Sequence, residues 1–267
     1  MTRRVCFTNE KGGVAKSTTC EAFAASLRRR GMRVLMVDLD AQPGNLTFHV
    51  GGDKAARGTY ELLTARRPTR DEVRSSIQPT EAFGDLMAAD VNLADVDSLL
   101  DRRIQRELVL CRALDAVEGD YDFVLIDTPP ALQVRTTNGI AAADDVIVPT
   151  LAEVSSAVGV MTTLQFCDLL REASPRDVRV AGVAIVSLDM VRRREGMEAS
   201  IAEGAGRLGA RTFSTRVRCA VAARDAQERR VPLVAHAPAS TVARDYEDLV
   251  DEYLEGIATI QIDDYNQ

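Results

Sequence analysis

The 267-residue chain has no tryptophan, and aromatic residues make up only 4% of it, which excludes a broad stacking platform for single-stranded nucleic acid. It has five cysteines, Cys6, Cys20, Cys111, Cys167 and Cys219, odd in number and never in a CxxC pair. That pattern excludes a disulfide framework and a zinc site, fits a reducing cytosol, and leaves the thiols to be read as small buried hydrophobes. No apolar run approaches the length of a membrane span, and Met1 to Phe7 carries two arginines but no secretion-type apolar stretch. The chain therefore reads as cytoplasmic. An excess of positive charge is also missing: Lys+Arg number 33 against 40 Asp+Glu, a net of −7, so any nucleic-acid site has to be a local patch.

What is present is enough apolar residue, 46%, for a sizeable core. Short β-branched runs alternate with helix-length amphipathic segments, the signature of βα units around a sheet. The predicted strands are Val5 to Thr8, Arg33 to Asp38, Asp122 to Asp127, Asp145 to Pro149, Val178 to Ser187 and Thr212 to Val217. Each interval has room for the crossover helix that parallel pairing requires. The fold class expected is α/β, a mainly parallel twisted sheet with helices on both faces. Ile104, Leu108, Cys111 and Leu114 recur at helical steps, as do Val242, Tyr246, Leu249, Tyr253 and Ile257, and both sets are expected to face the core. Gly51 to Pro79 is the least regular part and reads as an excursion from the sheet. Residues 1–267 are expected to form a single domain.

The most informative stretch is Lys11-Gly12-Gly13-Val14-Ala15-Lys16-Ser17-Thr18, between the strand ending at Thr8 and a helix over Thr19 to Arg30. A strand, a glycine-bearing loop and a helix N-terminus suit a nucleotide phosphate: backbone N–H groups converge, the helix dipole favours negative charge, and Lys16 adds a point charge. Ser17 would then face Mg²⁺. Against the usual GxxxxGK[ST] pattern, Glu10 and Ala15 stand where glycines belong. If position 15 needs a positive φ, its Cβ costs roughly 1 kcal/mol.

Two strand ends carry carboxylates. Val34 to Pro43 includes Asp38 and Asp40, and Phe123-Val124-Leu125-Ile126-Asp127 delivers Asp127 to the start of Thr128-Pro129-Pro130. An acid at the carboxyl end of a buried strand beside a phosphate loop is placed to hold Mg²⁺ through water.

KGGVAKST resembles the deviant P-loop (deviant Walker A) of the ParA/MinD superfamily, in which an extra lysine, here Lys11, precedes the glycine pair. VDLDAQ resembles that family's VDLDPQ segment, Asp127 matches its Walker B position, and Thr137 to Asp144 followed by Val146 to Pro149 resembles its VNALAAAD…VLIP stretch. The resemblance implies ATP and Mg²⁺ as cofactors, with a nucleotide site over Lys11, Gly12, Gly13, Val14, Ala15, Lys16, Ser17, Thr18 and Asp127. It implies catalytic roles for Lys11, Lys16 and Asp40, metal contacts from Ser17 and, through water, Asp127 and Asp40, and an ATP-sandwich homodimer completed in trans by Lys11. Asp38 is the structural or outer-shell carboxylate. Ser214-Thr215-Arg216-Val217-Arg218 stands where the family has an IPRNVRL-like run, so the adenine contacts stay unassigned.

Within the superfamily, Arg244 to Glu255 holds one arginine against six acids, which disfavours a membrane-binding helix, and no cysteine pair has iron–sulfur spacing. Residues 190 to 232 hold ten arginines against five acids. That local excess suggests a footprint for nonspecific double-stranded DNA, with Arg192, Arg193, Arg194 and Arg218 the candidates, against ordinary surface ion pairing as the plain alternative. The P-loop begins near the N-terminus, so no helix-turn-helix domain is expected before it. The resemblance is to the short, Soj-like type, which implies a weak ATPase, a ParB-type centromere-binding partner, association with the nucleoid and a role in plasmid or chromosome partition. A protein-cargo adaptor ATPase and a dethiobiotin-synthetase-type ligase are the alternatives, and both predict no DNA binding.

Overall fold

The computed structural model describes residues 2–54, 56–186 and 195–265. Its centre is a 7-stranded sheet in the order β3-β4-β2-β5-β1-β6-β7. The strands are β1 (Arg3–Phe7), β2 (Val34–Asp38), β3 (Gln78–Thr80), β4 (Gly84–Met87), β5 (Phe123–Asp127), β6 (Asp145–Thr150) and β7 (Arg179–Ile185). All pairings are parallel except β3 against β4. The expected α/β architecture is present.

Alternation along the strands builds a core on each face. Cys6, Leu35, Val37, Val124, Ile126, Val146 and Val148 point to one side, and Val5, Phe7, Met36, Leu125 and Ile147 to the other. The first side is covered by α3 (Thr59–Thr64), α5 (Val96–Leu100), α6 (Val109–Asp115), α7 (Val134–Ala141), α8 (Val154–Arg171) and α9 (Glu195–Arg207). The second is covered by α1 (Lys16–Arg29), α2 (Leu46–His49), α11 (Leu233–His236) and α12 (Thr241–Tyr265), beside which α10 (Val221–Arg229) lies; α4 (Arg70–Ser75) buries Val73 on the first side. Gly31, at φ +81, ends α1 as a left-handed C-terminal turn. The predicted α12 stripe, Val242, Tyr246, Leu249, Tyr253 and Ile257, is buried throughout. None of the described helices is long and apolar enough to cross a membrane.

Several expectations are corrected. The helix expected from Thr19 begins at Lys16. Thr212 to Val217 is no regular strand: it makes one bridge, Thr212 to Val183, and hydrogen bonds from Phe213 and Val217 to β7. The ladder breaks because the Ser214 and Thr215 N–H groups donate instead to Glu252 of α12, at 2.7 and 2.9 Å. Ile104 is 93% exposed in the turn before α6, so its place in a core stripe was a false periodicity. Cys219 is exposed, while the other four cysteines are buried as expected. Strands β3 and β4 were not anticipated, being short, with Pro79 on the antiparallel edge and a glycine opening β4.

Candidate functional site

The carboxyl ends of β1, β2 and β5 lie side by side, with Phe7 in register with Asp127 and Asp127 with Asp38. This is where ligands bind in open parallel sheets. A cleft of about 330 Å³ opens there, lined by the loop residues Gly12, Gly13, Ala15, Lys16, Ser17 and Thr18, by Asp40 to Asn45 apart from Ala41, and by His49 and Pro130. The sequence-predicted phosphate loop and the Asp40 loop therefore meet across one cavity. Val14 is fully buried beneath the loop and lines no part of the cleft.

The loop conformation explains the glycines. Gly13 has φ +71, and Ala15 sits in the left-handed region at φ 61 and ψ 35. The anticipated strain at Ala15 is thus real, held in place by its carbonyl, which accepts from Thr19 N at 2.9 Å and Thr19 Oγ1 at 2.7 Å. No side chain caps α1 and no acid occupies its first turn, so its leading N–H groups are left for an anion. Behind the loop, Asn9 Oδ1 accepts from Lys11 N at 3.0 Å, and Asn9 Nδ2 donates to the Pro149 carbonyl at 2.8 Å. Gly159 of α8 lets the loop approach: a Cβ there would stand 3.0 Å from Asn9 Oδ1.

The two lysines diverge. Lys16 is 7% exposed, its amine donating to the Lys11 carbonyl at 3.2 Å. Burial holds its ammonium below the ordinary range, against the opposing pull of Asp127 and Asp40. Lys11 does not line the cleft. Its Nζ turns to the start of α8, 3.1 Å from Glu153 Oε2, and donates to Ser155 Oγ at 2.7 Å and Ser156 Oγ at 2.9 Å.

Asp127 is fully buried, and Ser17 Oγ donates to its Oδ2 at 2.5 Å. Its Oδ1 is buried with no partner among the described residues. Burial first, and the adjacent Asp38 second, push its carboxyl well above the usual range. A buried carboxylate with one orphaned oxygen beside a serine hydroxyl and phosphate-facing N–H groups is the oxygen donor set that suits Mg²⁺. These residues fit the ion.

Asp38 takes the structural role. It accepts from Thr47 N at 2.8 Å, Thr47 Oγ1 at 2.6 Å and Asp40 N at 2.9 Å, tying β2 to α2. Burial pushes its carboxyl up to about 6 despite those bonds. Asp40 is half-buried at the cleft edge, with one oxygen accepting from Gln42 N at 3.0 Å. Its carbonyl accepts from Asn45 Nδ2 at 2.5 Å. Sequence reasoning missed Arg135 of α7, whose guanidinium pairs with Asp97 at 2.9 Å and donates to the Leu39 carbonyl at 3.0 Å, bracing the same loop. It also missed Glu153, Ser155, Ser156, Glu21, His49 and Gln227, which no local motif marks.

The predicted DNA-contacting set is divided. Arg192, Arg193 and Arg194 lie outside the described residues. Arg218 is held by Asp245 of α12: its Nη2 lies 2.5 Å from Oδ1, and its Nε and backbone N donate to Oδ2 at 2.8 and 2.9 Å. Arg216 pairs with Glu198, and Arg207 with Glu203. Arg224 and Arg229 of α10 are exposed and make no ion pair among the described residues.

Comparison with known proteins agrees with this geometry. Residues 2–180 match the family model described as AAA domain. The chain is 32% identical to the sporulation initiation inhibitor protein Soj of Bacillus subtilis, covering 94% of this chain and 98% of that protein. It is 32% identical to the chromosome-partitioning ATPase Soj of Thermus thermophilus, over 94% and 95% of the two chains. Among solved structures it is similar to cobyrinic acid a,c-diamide synthase from Mycobacterium smegmatis with bound ADP and magnesium, at 30% identity, a TM-score of 0.78, and coverage of 94% and 93%.

Proposed function

This chain belongs to the AAA-domain family of ParA and Soj ATPases, and from that premise we propose that it is a DNA-partitioning ATPase whose dimerisation and DNA binding follow its nucleotide state. Its activity is ATP hydrolysis with Mg²⁺. The α1 N-terminus and the Lys16 amine bind the phosphates, and the donation Lys16 now makes to the Lys11 carbonyl is given up to them. Ser17 Oγ and Asp127 would hold Mg²⁺, which would supply charge neutralisation on the phosphate oxygens when bound. Asp40 orients the attacking water and accepts its proton, while Asp38, Asn45 and Arg135 keep that loop in place.

The observation that carries the dimer is the direction of Lys11. A lysine beside the phosphate loop whose ammonium leaves its own cleft for Glu153, Ser155 and Ser156 is available to a second copy once those contacts exchange. In the dimer each Lys11 reaches the partner's phosphates, closure orders the Asp40 and Asp127 loops, and two basic surfaces act together on one duplex. The arginine excess over residues 190 to 232, with Arg224 and Arg229 exposed and without an ion pair among the described residues, supports a phosphate-backbone footprint. Hydrolysis, stimulated by a ParB-type partner, dissolves the dimer and releases DNA, so the protein cycles on and off the nucleoid.

Anisotropy of a nonspecific duplex with ATP, ADP or no nucleotide, at two salt concentrations, tests this reading. Binding that requires ATP, falls steeply with salt and persists in Asp40→Ala is expected. Lys11→Ala is expected to bind ATP yet stay monomeric in light scattering, and an ATP-dependent Lys11→Ala dimer would reject the trans role. ATP-dependent dimers that ignore DNA would instead favour a cargo adaptor, and carboxylate-dependent turnover a ligase.

A further inference from the structure

A partly buried polar cluster sits between α1, α2 and α10. Gln227 of α10 donates from Nε2 to Thr18 Oγ1 and to Glu21 Oε1, each at 2.8 Å. Thr18 ends the phosphate loop and lines the cleft. Glu21 is 8% exposed on α1, and its other oxygen lies 3.2 Å from His49 Nδ1, neither atom having a directed hydrogen bond among the described residues. His49 lines the cleft too. A second link runs alongside the first: the Arg230 guanidinium stacks over Phe48 at 4.6 Å, and the Arg230 stem approaches Gly51 just beyond α2.

The apolar contacts of α10 are small: besides Ala226, the partly buried Ala222 and Ala223 pack against the second core. Ala226 is its one fully buried residue. A helix that buries so little apolar surface is positioned by its polar contacts. At its base, α2 is tied by Thr47 to Asp38 and by Asn45 to the Asp40 carbonyl, which joins Phe48 and His49 to the Asp40 loop.

We propose that Gln227 is a positioning residue that docks α10 on the nucleotide-binding helix through Thr18 and Glu21, so that occupancy of the phosphate cleft sets the placement of α10 and of its unpaired Arg224 and Arg229. The two-state element is α10, docked or released, and the cleft biases it through Thr18 on one side and His49 and Phe48 on the other. The part concerning DNA rests on the partition reading. The docking itself does not.

Amide exchange over residues 221 to 230 of the full chain, with and without Mg²⁺ and a non-hydrolysable ATP analogue, tests this. In the unsubstituted protein the analogue is expected to change exchange across α10 by roughly tenfold, the scale of one or two hydrogen bonds made or lost. Gln227→Leu keeps the bulk and removes the donors. It is expected still to bind the analogue while α10 no longer responds. Gln227→Glu sets a carboxylate against Glu21 and is expected to release α10 in every nucleotide state. The exchanged pair, Glu21→Gln with Gln227→Glu, is expected to restore the response, a rescue that a merely space-filling role would not give. An α10 that responds equally in Gln227→Leu, or one that never responds while the analogue binds, would overturn the proposal, as would failure of the exchanged pair to rescue. A helix response in a protein that binds no duplex supports the docking role of Gln227 and removes only the DNA reading.

Discussion

The phosphate cleft and the arginine-rich stretch are both charged, yet they obey different rules. In the cleft, Lys16, Asp38 and Asp127 are buried, and the carboxyls of the last two are pushed upward by desolvation. In the stretch, Arg207, Arg216 and Arg218 stay at least partly exposed, and each is engaged by an acid. Buried charge without full compensation marks a site waiting for ligand, whereas exposed charge with a partner is often scaffold. Asp245 shows the difference: counted in the sequence it belongs to an acidic helix face, but in the fold it holds Arg218 and its backbone N–H. A charge count over a segment therefore overstates the positive surface left for a polyanion.

The largest effect expected is on the buried side. Lys16→Ala should lower ATP turnover roughly 10²-fold or more, because a desolvated charge aimed at developing negative charge is lost. Steady-state phosphate release checks this, and turnover within tenfold of the parent would move the phosphate site elsewhere. On the exposed side, joint replacement of Arg224 and Arg229 by alanine should weaken duplex binding about tenfold and reduce the salt slope by about two. Arg218→Ala should instead lower the thermal midpoint, since it strands Asp245. If Arg218 proved to carry the greater share of the salt slope, the contrast between paired and unpaired arginines would fail.

A third test uses the raised carboxyls. Folded Asp38 and Asp127 hold protons to higher pH than the unfolded chain, which releases them near pH 4, so the folded state binds more protons and stability falls as pH rises. Without nucleotide, the thermal midpoint of the parent should fall relative to that of Asp127→Asn as pH rises from about 4 through about 6. A difference between the two that stays constant over this range would contradict the burial of Asp127. The smallest effect is at Ala15, where glycine should relieve about 1 kcal/mol of left-handed strain and raise the midpoint by a few degrees.

Much of the cleft was legible because its parts are local. Lys11 to Thr18 is one continuous stretch running from a strand-end loop into the first turn of a helix, and Asp38 and Asp127 each close a strand of five buried residues, with Asp40 two positions beyond Asp38. Periodicity read α12 correctly, yet it failed at Ile104, where a turn places residues at helical spacing without a helix. It also failed at Thr212 to Val217, where Glu252, far along the chain, takes the N–H groups a strand would need.

Sequence alone determined the α/β class, the Lys11 to Thr18 loop between strand and helix, the carboxylates beside it and the family, since each rests on residues within a few positions of one another. Tertiary structure alone decided which way Lys11 points, that Asp245 holds Arg218, and that Gln227 touches Thr18. Those contacts join residues from 27 to 209 positions apart. At such separations neither periodicity nor motif constrains the pairing, and only the packing of α8, α10 and α12 against the sheet and α1 brings the partners within hydrogen-bond reach.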